Sequence, residues 1–401
     1  MATNQDLPSE IDKIPYDAPL SFPPPSKAWT DAMGGISNNR TETLTEKEFP
    51  PADLTGKWII ISGANNGIGK EAAITFASWG ANLILACRDS APHEGHPIDA
   101  VEQCETAAKA NGHVSDIEWW KLDCADLASV EALATRWLDT GRPLDILCNN
   151  AGVGSSPGGS KGVFKTKDGF EFIHQVSWQP RNRTMLTPQI NLLSHVLLTM
   201  HLLPSLAKAP APRVVCTTSC FHFLGRYSIG NFNGGPGMAG GEGVHYYQNN
   251  KLYFQIWLTE LQHRLLQHEQ YKHITVNGFH PGYVSSGIWT IQRKSFLSWL
   301  LAYILLFASR IFGISPKQGS MGMVYVAVAP ECGPDPTTQG GDDVQGKGGG
   351  RYFNRIWEQD AMPHCKDRDA RLRIWRKVAE ELGLKDKGLL NVLGLYSGDF
   401  P

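Results

Sequence analysis

The sequence predicts an α/β fold, a doubly wound parallel sheet covered by helices on both faces and held in a single domain. Three observations predict it. From Trp58 onward, short apolar runs alternate with helix-length amphipathic stretches, a rhythm of repeated βα units that needs a parallel sheet with both faces covered. The first run opens directly into a glycine-rich turn and a helix. The composition, 42% hydrophobic and 19% charged over 401 residues, belongs to a chain with a sizeable core, and a sheet of this class often holds such a length in one domain.

Taken in order, residues 1 to about 50 are rich in Pro, Ser, Thr and Asn, include Phe22-Pro-Pro-Pro25 and show no sustained period. They are expected to form an extended leader outside the core. With neither a basic start nor an apolar h-region, the leader does not read as a secretory signal. Strands are expected at Trp58–Ile61, Leu83–Cys87, Ile117–Leu122, Asp145–Cys148, Arg213–Thr217 and Ile274–Phe279. Residues 51–384 form the domain, carrying an insertion at 176–189, an apolar segment at 294–313 and a glycine-rich stretch, Gln339–Gly350, that reads as a flexible surface loop. The last helix, Asp367–Leu382, carries Leu372, Trp375, Val378, Ala379 and Leu382 on one face, to pack on the sheet or contribute to a homodimer. Residues 385–401 are a tail.

A formal net charge of -2, with no run of Lys and Arg interleaved with aromatics, argues against a nucleic-acid partner. The eight cysteines form no CxxC pair and no His spacing suited to zinc, so no metal is expected and the chain reads as a reduced, intracellular protein.

The turn after the first strand is Ser62-Gly63-Ala64-Asn65-Asn66-Gly67-Ile68-Gly69-Lys70. Glycines here let the backbone turn sharply and approach a pyrophosphate, whose charge is held by amides at the helix N-terminus. Turn and helix-packing glycines look alike, and the position between strand and helix is what favours a Rossmann-type dinucleotide site built from Gly63, Asn65, Asn66, Gly67, Ile68 and Gly69. At the end of the second strand Arg88 stands where an NAD enzyme places a carboxylate for the ribose 2′-hydroxyl. It suits the 2′-phosphate of NADP instead, with Lys70 as helper, although a solvated strand-end arginine would read the same.

With Asn149-Asn-Ala-Gly152 after the fourth strand and Tyr247-Gln-Asn-Asn-Lys251 opening a helix, the chain resembles the short-chain dehydrogenase/reductase family over roughly Asp53 to Leu384. Within it, Ala86-Cys-Arg-Asp89, Leu122-Asp123, the Asn191 helix, His280-Pro-Gly282 and Gly350-Arg-Tyr-Phe353 resemble the retinol-dehydrogenase-like branch. The resemblance implies a sheet of about seven strands and an NADP(H)-dependent oxidoreductase moving a hydride between the nicotinamide and an alcohol or carbonyl. It also implies that Asp123 contacts adenine, that Asn149, Asn150, Ala151 and Gly152 form a structural wall beside the cofactor, and that Pro281, Gly282 and Ser286 line the nicotinamide. Departures are small: Ser62 stands for a commoner Thr, Asn250 for the Ser before the lysine, and Thr217-Thr-Ser219 for Val-Ser-Ser.

Hydride transfer to a carbonyl leaves an alkoxide that must be protonated, so the site needs an acid near the oxygen and a donor to polarise it. Tyr247 is the expected acid. A free phenol has a pKa of about 10, and Lys251, one helical turn on and on the same face, is expected to lower it by its charge. Tyr246 projects about 100° away around the helix and cannot replace it. The resemblance adds that Lys251 holds the nicotinamide ribose, that Ser219 binds the substrate oxygen and that Asn191 positions a water relaying protons to Lys251.

In this family the segment after the Pro-Gly turn forms the substrate lid. Here it contains the unbroken apolar run Phe296 to Ala308, shorter than the roughly 20 residues that span a bilayer. A buried core helix and a monotopic lid both fit. The lid reading implies a retinoid-, steroid- or long-chain-like substrate delivered from the cytosolic face of the endoplasmic reticulum or a lipid droplet. A low-activity cofactor-binding scaffold and a soluble ketoreductase of specialised metabolism stand as alternatives. Removing Val176 to Gln189 restores the family spacing between Gly169-Phe-Glu and Asn191, so that piece is either a surface insertion or an intron translated in frame, placed where it would displace the Asn191 helix.

Overall fold

The computed structural model describes residues 43–45, 47–48, 51–89, 95–152, 168, 189–227, 229, 232, 244–284, 313–340, 345–390 and 393. Their centre is one eight-stranded sheet in the order β3-β2-β1-β4-β5-β6-β7-β8, built from β1 (Trp58–Ser62), β2 (Asn82–Cys87), β3 (Ile117–Lys121), β4 (Ile146–Asn149), β5 (Arg213–Thr217), β6 (Thr275–His280), β7 (Tyr352–Asn354) and β8 (Trp357–Gln359). β1 to β7 are parallel, and β8 turns back antiparallel on β7. The six expected strands are present to within one residue at each end; the inner ones, buried on both faces, carry an apolar signal along most of their length, while edge strand β3 is marked by Ile117, Trp119 and Trp120. β8 was not legible: it is three residues long, and Glu358 and Gln359 are exposed.

Two packed layers cover the sheet. On one face lie α1 (Gly67–Ser78), α2 (Pro97–Ala110) and α6 (Pro316–Val328), and on the other α3 (Leu127–Asp139), α4 (Ser194–Leu206) and α5 (Val244–Leu266). Alternation along β1 feeds both, with Ile60 in one cluster and Ile59 and Ile61 in the other. α1 buries Ala72, Ala73, Phe76 and Ala77, the residues its sequence pattern selects. The strand order reverses between β3 and β4, which opens a crevice beyond the carboxyl ends of β1 and β4.

Three expectations change. The last helix, α7 (Arg368–Leu382), packs on α5 instead of the sheet, with Trp375 stacked on Trp257 at 6.1 Å and Glu260 held between Arg264 and Arg371 at 2.7 and 3.1 Å. Its buried face is centred on Ile374, Trp375 and Val378, while Leu372 is half-buried. The described part of the glycine-rich stretch is packed, not free. A Cβ on Gly349 would lie 2.0 Å from the Gln262 side-chain oxygen, and Gly350 donates its amide to the Val276 carbonyl at 2.7 Å. Its glycines serve close approach of backbone to neighbour, which composition cannot tell from freedom. Finally, Leu44 of the leader is 2% exposed and belongs to the core. Gln318 at the start of α6 clasps its main chain on both sides, at 2.8 and 3.1 Å.

Residues 176–188 and 294–312, Ser286, and the remainder of the leader lie outside the described residues. No helix among the described residues is long and apolar enough to cross a membrane, and no group of three or more metal-ligating side chains occurs among them. All eight cysteines are buried and none is in a disulfide.

Candidate active site

The glycine turn is shaped by its backbone. Gly63 and Gly67 take positive φ, 69° and 57°, a conformation that other residues adopt at a cost. Asn66 caps α1, its side chain accepting the Gly67 amide at 2.7 Å. A helix start leaves its first amides short of intrahelical acceptors, and a Cβ on Gly67 would meet nothing within 4 Å, so no described neighbour crowds the turn at that point. Gly69 is required for packing: a Cβ there would stand 2.4 Å from the Gly63 carbonyl oxygen and 2.6 Å from the Asn150 amide nitrogen. Asn65 reaches across to the Gly95 carbonyl at 3.2 Å. These residues fit a dinucleotide pyrophosphate.

Asn149 and Asn150 divide their work. Asn149, fully buried, points into the core, donating to Thr199 at 2.8 Å. Asn150, which sequence reading left inside a general wall, is the residue that holds the glycine turn. Its side-chain nitrogen donates to the carbonyls of Ser62 and Gly63 at 2.9 and 3.3 Å, and its oxygen accepts from the Thr217 hydroxyl at 3.3 Å. Thr217 then accepts Lys251 Nζ on its carbonyl at 2.7 Å. Ala151 backs Gly63, with 3.0 Å from its Cα to a Cβ built there.

The expected reacting groups converge at the carboxyl end of β5. Ser219 caps a short 3-10 turn, Cys220–Leu224, accepting the Phe221 amide at 3.2 Å. It is also hydrogen-bonded to the Tyr247 hydroxyl. Lys251 Nζ stands 5.7 Å from the centre of the Tyr247 ring. Asn191, buried on a π turn (Gln189–Leu193) ahead of α4, completes the group: a Cβ on Gly152 would lie 3.2 Å from its side-chain oxygen and 4.0 Å from Lys251 Nζ.

The electrostatics depart from expectation. Tyr247 keeps part of its surface exposed, yet burial of its hydroxyl pushes the phenol up to about 12, with the Ser219 hydrogen bond opposing. Burial pushes Lys251 down to about 8. The lysine bonds a carbonyl, not the phenol, so desolvation outweighs its charge in setting the phenol.

Two histidines that sequence reading missed hold this framework. His195, one turn after Asn191 on the same face, places Nε2 2.6 Å from the Ala151 carbonyl. His222 donates from Nδ1 to the Ser219 carbonyl at 2.7 Å and accepts the Met362 amide on Nε2 at 3.3 Å. Burial lowers both to about 4, so each is neutral near pH 7 with one fixed tautomer, the proton on the nitrogen that faces a carbonyl. The i, i+4 spacing of Asn191 and His195 was the available signal.

Of the other expected cofactor residues, Arg88 is exposed at the end of β2. Asp123 follows β3 and accepts the Ala125 amide at 2.9 Å. Pro281 and Gly282 follow β6, Gly282 with φ 91°. A Cβ on Gly319 of α6 would stand 2.5 Å from Val284, 3.0 Å from Ile68 and 3.5 Å from the Pro281 carbonyl, so the glycine turn and the Pro-Gly turn meet on one helix.

The family model for short chain dehydrogenase matches residues 57–295. The chain belongs to the short-chain dehydrogenase/reductase family. Human retinol dehydrogenase 13 is 30% identical over 343 residues, covering 83% of this chain and 87% of its own length. Human retinol dehydrogenase 11 is 32% identical over 339 residues, 82% of this chain and 87% of its own. These matches place the chain on the retinol-dehydrogenase-like branch. A crystal structure of an uncharacterized protein from Mycobacterium paratuberculosis superposes with a TM-score of 0.54 at 22% identity, covering 84% of this chain and 97% of that one, which supports the fold. As a member of this family, the protein is a nicotinamide-dependent oxidoreductase acting between alcohols and carbonyls.

Proposed function

We propose that the protein is an NADP(H)-dependent oxidoreductase interconverting an apolar alcohol and its ketone or aldehyde, of retinoid-, steroid- or long-chain-like character. The observation that carries this reading is the convergence of Ser219, Tyr247, Lys251 and Asn191 beside the glycine turn, tied to it through Thr217 and Asn150. The bound nicotinamide supplies or accepts the hydride. Tyr247 holds its proton near pH 7, because burial raises the phenol, and gives it to the substrate oxygen as negative charge develops there. Ser219 steadies that oxygen and the phenol. Once the phenol has lost its proton, Lys251 opposes the new negative charge and passes it a proton, which is replaced from solvent through a water positioned by Asn191.

Arg88, exposed at the end of β2, supports a 2′-phosphate, while neighbouring Asp89 is engaged with Lys121 at 2.6 Å. The names of the relatives support an apolar substrate. The apolar run at 296–308 supports delivery from a lipid surface on the cytosolic side.

The test is an NADPH-oxidation screen over retinal, steroid ketones and fatty aldehydes, repeated with NADH and with Arg88→Asp. Wild type oxidises NADPH with at least one class, and the substitution lowers the NADPH-to-NADH efficiency ratio about 10- to 100-fold, the weight of one charge-assisted contact. No oxidation across the panel overturns the activity, and an unchanged ratio overturns the cofactor assignment.

A further inference from the structure

Tyr352 opens β7 and Asn354 closes it. Alternate residues of a strand share a face. Tyr352 joins the core cluster on the α3–α4–α5 side and Phe353 the opposite one, so Tyr352 and Asn354 both face the side that carries Ser219 and Tyr247. Each is 1% exposed. The Tyr352 hydroxyl and both polar atoms of the Asn354 amide nevertheless have no hydrogen-bond partner among the described residues. Buried donors and acceptors are normally paired, and an orphan loses its hydration without compensation. Three orphaned atoms on two neighbouring same-face residues therefore call for a ligand.

Their surroundings say where that ligand sits. The Tyr352 ring lies edge-on to His222, centroids 4.6 Å apart, and His222 holds the Ser219 carbonyl. Tyr352 also packs edge-on to Phe223, on the same turn as Ser219, with ring centres 5.8 Å apart. Asn354 stands in register with His280, the residue before the Pro281-Gly282 turn. Tyr352 thus borders the Ser219 turn and Asn354 the approach to the Pro281-Gly282 turn, both at the carboxyl edge of the sheet, where ligands of this architecture bind.

We propose that Tyr352 and Asn354 form a polar subsite for a second oxygen of the substrate, a hydroxyl or carbonyl distinct from the one that reacts. The proposal rests on the oxidoreductase reading above and narrows it: the substrate is an apolar body carrying two oxygens, not a plain hydrocarbon chain ending in an aldehyde. A phenol and a carboxamide each donate and accept without carrying charge, so the oxygen received is a neutral hydroxyl or carbonyl and not a carboxylate.

The test uses matched pairs: steroid ketones with and without a second oxygen, and fatty ketones with and without a nearby hydroxyl. At saturating NADPH, wild type prefers the dioxygenated member of at least one pair by about tenfold or more in kcat/KM, since a site built to hydrogen-bond a hydroxyl discriminates strongly against its absence. Tyr352→Phe and Asn354→Leu each collapse that ratio by about tenfold. Tyr352→Phe removes no hydrogen bond, so the Tm of the unliganded protein stays level or rises, which separates loss of discrimination from loss of fold. No preference in wild type, or a ratio untouched by both substitutions, overturns the subsite. Should no carbonyl turn over, the same pairs are compared by their shift of Tm in protein loaded with NADP. A larger shift from the dioxygenated member in wild type, lost in Tyr352→Phe, upholds the subsite while the proposed activity fails. Equal shifts overturn the subsite.

Discussion

The glycine turn after β1 and the proposed catalytic group after β5 lie at the same edge of the sheet but are built by opposite means. The turn works through what it omits: a Cβ at Gly69 would drive into the Gly63 carbonyl, and Gly63 and Gly67 take positive φ that a side chain would strain. The proposed catalytic group is shaped by what it buries: Tyr247 at about 12 and Lys251 at about 8 are set by desolvation, and Ser219 and the Ala151 carbonyl are held by neutral histidines. Failure in the first region should therefore be steric and show in cofactor affinity. Failure in the second should be electrostatic and show in turnover.

Substitutions sharpen that contrast. Tyr247→Phe is expected to lower kcat by about two to four orders of magnitude, the weight of a general acid, while the cofactor dissociation constant, read by tryptophan fluorescence, stays within a few-fold. A parallel collapse in cofactor affinity would erase the distinction between the regions. Gly69→Ala should act the other way, weakening cofactor binding by about ten- to a hundredfold, as overpacking by one methyl typically costs about 1–3 kcal/mol. A neutral outcome would show that the turn can give way.

A smaller effect is expected from pH. Lys251 must be protonated to oppose the charge left on Tyr247, and its pKa is lowered to about 8. The reductive kcat/KM should accordingly be level below pH 8 and fall by about tenfold per pH unit above it. A profile flat to pH 9.5 would remove Lys251 from the proton path. The smallest effect belongs to the joint between the regions. Asn150→Ala frees the carbonyls of Ser62 and Gly63 and the Thr217 hydroxyl, and should lower stability in urea by about 1–3 kcal/mol, with affinity and turnover both reduced.

The two regions were also unequally legible. The turn is contiguous and its glycines are dictated by local geometry, so Gly63 to Gly69 and the buried face of α1 could be read directly. The residues proposed to be catalytic could be picked out as types at a spacing, but their electrostatics could not, because the direction of Lys251 Nζ depends on the Thr217 carbonyl, far off in sequence. Asn150 was hidden beside Asn149, since only the structure shows which amide turns inward. Tyr352 and Asn354 gave no signal: their alternation looks like any strand edge, and their missing partners are visible only in three dimensions.

The clasp of Gln318 on Leu44 has a practical consequence. Composition would set an expression boundary near residue 50, which would strip Leu44 from the core and release both main-chain bonds to the first turn of α6. That turn also packs on Ile68, Val284 and the Pro281 carbonyl, so shortening the chain there would loosen the support shared by the glycine turn and the Pro-Gly turn. Truncated versions of this enzyme should start upstream of Thr43, with fusion partners attached through a spacer ahead of it.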